Sequence, residues 1–514
     1  MPSPPSLPSR SSPSSSASAS SSSSSSPHSP PSSASALDGA GGGLEEPAFD
    51  RRRAWLVTAL IVTFMIVNFA DKSVLGLAAI PIMEELDISN STYGLISSSY
   101  SILFSLSGLV VGFFSSRISS RVLLFTMCLV WGLAQLPVLI VAAVPALVAG
   151  RVLLGAAEGP ATSMSMHALY KWFPAGRRGL PSALQISGAA LGTLIAAPVV
   201  TWLITEFGWR SAFAVLAATS VVWSAAWWFA GHDGPYDQPP ARQQGKTAEA
   251  GARAEAGART DARARTETGT AAMTTTGAGA GIGAGVGAAR VPYRRLLLCG
   301  TVVGSVASAF GASWALGLSH AWLPPYLRTE LTMSPATAAS VISAVAAFSL
   351  VLLLVLSPVV DRLTRRGVSL RWSSGVPQGA AVICAGVAMA VFPFVGVQQV
   401  QLLLLAIAFG AHSIAFPLHY MTVAAVVPAP QRGALFGIVA ATGTLPGLLA
   451  PSVTGHLLDG ASSASAGYTQ AFLLTAAVMV VCGVVAVCCI RPARDARRLR
   501  TEDSNGGLKR RTQG

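Results

Sequence analysis

The chain has 514 residues, of which 52% are hydrophobic and 11% charged, and it carries a formal net charge of +13. A soluble domain carries roughly a quarter charged residues, so this composition excludes an ordinary water-soluble globular protein. The positive charges lie in the tails and in loops between apolar runs, where they read as orientation signals in a bilayer rather than as a nucleic-acid surface.

Residues 1–50 are a Ser/Pro-rich tail that cannot bury a core and is expected to be disordered, on the cytoplasmic side and without a signal peptide. Arg51, Arg52 and Arg53 then abut the first apolar run. A spanning helix needs about 20 apolar residues. On that measure the sequence predicts twelve transmembrane helices, near 54–78, 92–114, 121–143, 146–171, 180–204, 211–231, 295–320, 335–359, 373–395, 400–427, 433–457 and 469–490. Residues 51–231 form a first six-helix unit and 293–490 a second, followed by a basic tail over 491–514. Between the units, 232–292 is rich in Ala, Gly, Thr and Arg without apolar periodicity, and reads as a disordered cytoplasmic linker. Its Gly-rich stretch has no strand before it and no Lys-Ser/Thr after it, so it is not a phosphate loop.

Loop charges orient the helices. Arg117 and Arg121 follow run two, Lys171, Arg177 and Arg178 run four, Arg362, Arg365 and Arg366 run eight, and Arg432 run ten. The opposite loops hold mainly acids, among them Glu84, Glu85, Glu330 and Asp459. Both termini are therefore expected on the cytoplasmic side. The Ala/Gly/Arg-rich composition points to a bacterial inner membrane. The segments around Arg117 and Arg121, and around Asp361 and Arg362, occupy corresponding places in the two halves. An all-α integral membrane fold follows: two six-helix bundles with a pseudo-twofold repeat and a site near the midplane.

Several polar groups interrupt the apolar runs. Arg151 and Glu158 lie seven residues apart in run four and share a helix face. Burying either without a partner costs several kcal/mol in a bilayer. Glu158 lies near mid-membrane, where a carboxyl group is a candidate for reversible protonation; a bracing Arg151–Glu158 pair is the competing reading. Asp71 and Lys72 end run one, either as a coupling carboxylate and a cationic substrate contact or as a pair with Lys72 snorkelling to the interface. His412 and His419 share a face of run ten as a possible proton relay or cavity pair, or as packing groups bonded to backbone. Gln185 and Thr444 are candidate cavity polars, and Gly188 and Gly192 form a close-packing face. His320, near the outer end of run seven, reads as facing water. The six cysteines read as packing residues, and no spacing suggests a metal or another cofactor.

Motifs then point to a family. Asn68-Phe-Ala-Asp71-Lys72, Arg151-Val-Leu-Leu-Gly155-Ala-Ala-Glu158-Gly-Pro160, Lys171-Trp172-Phe173-Pro174, Gly208-Trp209-Arg210 and Trp322-Leu-Pro324-Pro-Tyr326 occur in order. Together they resemble the major facilitator superfamily, and most closely its anion:cation symporter branch, which carries organic anions such as sugar acids. The resemblance covers roughly residues 54–490 without the linker, and implies the twelve-helix fold and transport by alternating access. On the leading reading of the residues, Lys72 and Arg151 attract the substrate carboxylate while Asp71 and Glu158 take up and release protons. The resemblance also implies a cytoplasmic gate motif at Arg117, Arg121, Asp361 and Arg362, although its N-half copy has Ser116 in place of the acidic residue. Where sugar-acid members place Tyr, Gln and Asn, the aligned residues are Phe104, Ala189 and Thr444. The expected ligand is therefore less hydroxylated than a sugar acid.

The leading expectation is proton-coupled uptake of a small organic carboxylate, by a chain that can work as a monomer because it supplies both halves of its cavity. Its partners are that anion, protons and the lipid bilayer, with no nucleic acid. The alternative is proton-driven efflux of drugs or metabolites, for which Pro198 and the Gly188/Gly192 face supply fragments of a signature. A non-transporting membrane sensor is more remote. No catalytic constellation is found, so an enzyme is not expected.

Overall fold

The computed structural model describes residues 50–114, 118–141, 143–174, 177, 179–236, 291–428 and 431–499. The expectations for the tail over 1–49, most of the linker and the chain beyond 499 lie outside these residues.

Helices occupy all twelve expected places. They are α1 (Arg51–Leu77), α2 (Asn90–Phe114), α3 (Ser120–Ile140), α4 (Val144–Glu158, continued by Ala161–Tyr170), α5 (Gly179–Phe207), α6 (Trp209–Ala230), α7 (Gly300–Thr329), α8 (Pro335–Arg365), α9 (Val376–Val391), α10 (Gln398–Gly410, continued by Ala415–Ala424), α11 (Arg432–Gly460) and α12 (Ala464–Cys489). Among the described residues, nine of these stretches are long and apolar enough by themselves to cross a membrane; α2, α4 and α11 complete the set.

Local chemistry sets several boundaries. Asp50 accepts from the Arg53 amide to cap α1, and Ser119 and Ser334 cap α3 and α8 in the same way. Beyond α1 a second segment, Ala79–Leu86, ends at Asp87 in a left-handed conformation. Run four is broken after Glu158, at Gly159-Pro160, because proline has no N–H for the next helical bond. Run ten passes through a 3-10 turn at Ala411–Ile414.

Packing repeats between the halves. In the first, α1 packs on α5, α2 on α4 and α3 on α6; in the second, α7 packs on α11, α8 on α10 and α9 on α12. Across the halves, α2 runs along α11, α5 along α8 and α1 along α7. A buried aromatic group of Phe64, Trp131 and Trp223 ties α1, α3 and α6 together.

One expectation at a chain segment needs correction, and another segment proves to have structure of its own. The linker does not begin at residue 232: the indole of Trp172 donates to the His232 carbonyl (2.9 Å), and Tyr236 N donates to the Lys171 carbonyl (3.0 Å). Asp233 accepts from Lys171 Nζ and from the Ser120 amide, both at 3.1 Å, so this strand of chain laces the ends of α3 and α4. The tail after 490 likewise continues as helix over 492–499, where Asp495 accepts from the Thr301 amide and hydroxyl, each at 2.7 Å.

Candidate functional site

A cavity of about 160 Å³ lies between the halves, walled by α1, α2 and α4 on one side and α7 and α11 on the other. Lys72 and Arg151 line it, together with Phe69, Tyr100, Phe104, His320 and Thr444.

Glycines create the N-half wall. A Cβ at Gly155 would run into the Tyr100 carbonyl, and one at Gly159 into that of Phe104, so α4 and α2 meet backbone to backbone. This approach brings the Tyr100 hydroxyl to 2.5 Å from Glu158 Oε2. Lys72 Nζ lies 3.7 Å from the same oxygen and donates to Asn68 Oδ1 at 2.8 Å. Phe69 and Phe104 flank the ammonium, with ring centres at 4.2 and 5.4 Å. Lys72 therefore does not snorkel to the interface. The pull of an anion and two aromatic faces turns it inward.

Arg151 takes a different course from a brace with Glu158. Seven helical residues rise about 10 Å, which separates the two head groups along the axis. Arg151 Nη1 instead donates to the Asp71 carbonyl at 3.3 Å, its guanidinium lies 5.6 Å from the Phe213 ring centre, and Nη2 has no hydrogen-bond partner among the described residues. Asp71 is fully buried behind the wall, where Gln135 Nε2 donates to its Oδ1 at 3.1 Å and Oδ2 stays unpartnered. Glu158 is also buried, with Oε1 unpartnered. One N-half pocket thus brings together two cations, two carboxylates and three unsatisfied charged-group atoms.

The other expected residues scatter. Gln185 is fully buried away from the cavity and donates to Ser165 Oγ (2.9 Å) and the Thr162 carbonyl (3.4 Å), tying α5 to the second segment of α4. Thr444 lines the cavity, bonds Ser105 across the halves and donates to the Ala441 carbonyl at 2.8 Å. His412 and His419 are buried outside the cavity wall. His419 Nδ1 faces the Ala415 carbonyl at 3.2 Å and its ring packs on Tyr420, while His412 Nδ1 has no partner. Arg121 donates to the Trp228 carbonyl and stacks on that ring, within its own half, and Arg362 is exposed near the end of α8. Arg117 and the Asp361 side chain lie outside what is described.

Sequence reasoning missed Tyr100, Gln135 and His320. Tyr100 and Gln135 are polar interruptions in apolar runs, a signal that was available; their pairing with Glu158 and Asp71 depends on helix crossings. His320 was read as facing water; it lines the cavity.

A buried ionic pocket beside a cavity between two matching helical halves is the architecture of a membrane transporter. The chain belongs to the Major Facilitator Superfamily, whose model matches residues 60–367 and 306–512. Within it, the chain is most like the organic-anion branch. It is 24% identical to the D-galactonate transporter of Escherichia coli O6:H1 over 84% of this chain and 94% of that protein. It is 30% identical to the hexuronate transporter of Bacillus subtilis, over 32% of this chain and 38% of that relative's length. Among solved structures it resembles a bacterial homologue of the lysosomal transporter Spinster, inward-facing and unoccupied (TM-score 0.64, 16% identity, 87% of this chain and 98% of that one). It also resembles a D-xylose-proton symporter (TM-score 0.64, 15% identity, 86% and 99%). At such identities these structures speak for the fold.

Proposed function

We propose that this chain carries a small organic carboxylate across the membrane by alternating access, in symport with protons and in the uptake direction. The observation that carries the reading is the buried Arg151 guanidinium, which lines the cavity with Nη2 unpartnered. An unsatisfied buried cation draws an anion strongly. Lys72 supplies a second positive point beside it. A carboxylate drawn to Lys72 competes with Glu158 for one ammonium, so substrate occupancy and the charge on Glu158 depend on each other. Asp71 and Glu158, buried and each with a free oxygen, are the groups that take up and release protons. The names of the sugar-acid relatives support the substrate class. The basic loops support cytoplasmic termini and the Ala/Gly/Arg-rich composition a bacterial inner membrane, and a chain supplying both cavity walls can act as a monomer.

The test is uptake of labelled organic acids into proteoliposomes under an imposed inward proton gradient. Gradient-driven accumulation by the wild type, abolished in Arg151→Gln, is expected. Failure to take up any acid, with proton-driven extrusion of an apolar cation instead, would establish efflux.

A further inference from the structure

We propose that His320 is the substrate anchor of the C-terminal half, and that the substrate carries a hydroxyl group distal to its carboxylate. This deepens the carboxylate reading above and rests on it. The cationic groups of the cavity, Lys72 and Arg151, both belong to the first half. A ligand held by one half alone gains nothing when the halves rearrange around it, because a conformational change follows only from contacts that differ between the two states. Some group on the second half has to grip the substrate's other end.

The wall contributed by α7 and α11 is built from small and apolar residues such as Leu316, Gly317, Gly447 and Pro451, with Ser313 and Thr444 as hydroxyls. Thr444 is already engaged with Ser105 and with its own helix. His320 is the titratable side chain on that wall among the described residues, and its ring makes no hydrogen bond to them. By contrast, the His419 and His456 rings each face a backbone carbonyl, at 3.2 and 2.8 Å. The position of His320 is fixed by a close crossing: a Cβ on Gly76 would strike its carbonyl, so α1 and α7 touch there. Lys72 lies one turn before Gly76 on α1. Lys72 and His412 are the basic groups within electrostatic reach of the imidazole.

A neutral imidazole offers one donor and one acceptor, and a hydroxyl group matches both. With Lys72 in reach, a hydroxyl is also matched better there than a positively charged group. Phe69 and Phe104, whose rings flank Lys72, provide apolar walls. The ligand this assembles has a carboxylate at Arg151 and Lys72, a short apolar body and one hydroxyl at His320.

The test is calorimetric titration of the purified full chain with two acid pairs: butyrate against 4-hydroxybutyrate, and benzoate against 4-hydroxybenzoate. Wild type should bind one hydroxylated member at least about tenfold more tightly than its parent acid, since a site built to bond a hydroxyl rejects the analogue lacking it. His320→Leu should erase that preference, bringing the two members of each pair to equal affinity. His320→Asn, which keeps a donor and an acceptor, should retain part of it. Wild-type binding of both members of each pair with equal affinity would overturn the role of His320 and leave the carboxylate reading standing. So would an unaltered preference in His320→Leu. Binding of none of the four acids would remove the carboxylate reading and this proposal with it.

Discussion

At the scale of single residues, the fold buries several charges and leaves them partly unsatisfied. Arg151 binds a backbone carbonyl with one nitrogen and keeps the other free, so its fork geometry matters as well as its charge. Arg151→Lys should weaken anion binding at least about tenfold while thermal stability changes little; equal affinity by titration would contradict an anchoring role. Outside the membrane, Glu85 accepts from Arg210 at 2.8 and 2.5 Å and from the Trp209 indole at 2.7 Å. The Arg210 guanidinium and then the Trp209 N–H hold the Glu85 carboxyl down to about 2, against a small opposing effect of burial. A carboxyl group with a depressed pKa contributes stability that is present above its ordinary value and lost as pH falls through the folded one. The difference in unfolding temperature between wild type and Glu85→Gln should therefore be constant above pH ~5 and shrink towards pH 2. A difference that stays flat down to that pH would show the tie to be without effect.

At the scale of helices, small residues decide which side chains can meet. Gly155 and Gly159 let α4 press on the backbone of α2, and Gly188 and Gly192 do the same for α5 against α1. Gly155→Ala places a methyl group against the Tyr100 carbonyl, a backbone atom that cannot swing aside. Overpacking of this kind costs about 1–3 kcal/mol, and the Tyr100–Glu158 bond should be lost with it. Thermal unfolding in detergent measures the first effect, and an unchanged transition would refute the close packing. The helices and the buried charges were legible in the sequence because hydropathy is a local property and a charge in an apolar run stands out. The partners were not. Arg151 and Glu158 share a face, yet each reaches to other helices, since about 10 Å of rise separates them. Tyr100 meets Glu158 only through the Gly155 contact, and Gln135 meets Asp71 only because α3 lies behind α1. The ordered segment around Asp233 was hidden by its Gly/Pro-rich surroundings, although its side chain bonds two other elements.

At the scale of the molecule, the two halves are joined at the end where α1 finishes and α2 begins. Asp459 at the end of α11 accepts from Asn90 N and Nδ2 (3.2 and 3.0 Å) and from Ser91 N (2.8 Å), which caps the start of α2 from the opposite half. The Tyr93 hydroxyl donates across to the Ala321 carbonyl at 3.2 Å, and Ser452 N to Ser98 Oγ at 3.1 Å. Alternating access requires these bonds to open. Asp459→Ala should shift the population towards molecules open at that end, read as faster labelling of a cysteine introduced at Ser97 in the cavity wall. Labelling no faster than in the parent would argue against a latch.

If anion and proton move together, proton movement driven by substrate alone is the most direct measurement of it. Proteoliposomes holding a pH-sensitive dye, with no imposed gradient, would receive an organic acid that the protein transports, beside protein-free vesicles that report passive entry. Symport requires the lumen to acidify faster than in the protein-free vesicles, and requires Glu158→Gln and Asp71→Asn to lose that excess. Accumulation of the acid with no protein-dependent change in luminal pH would contradict the account.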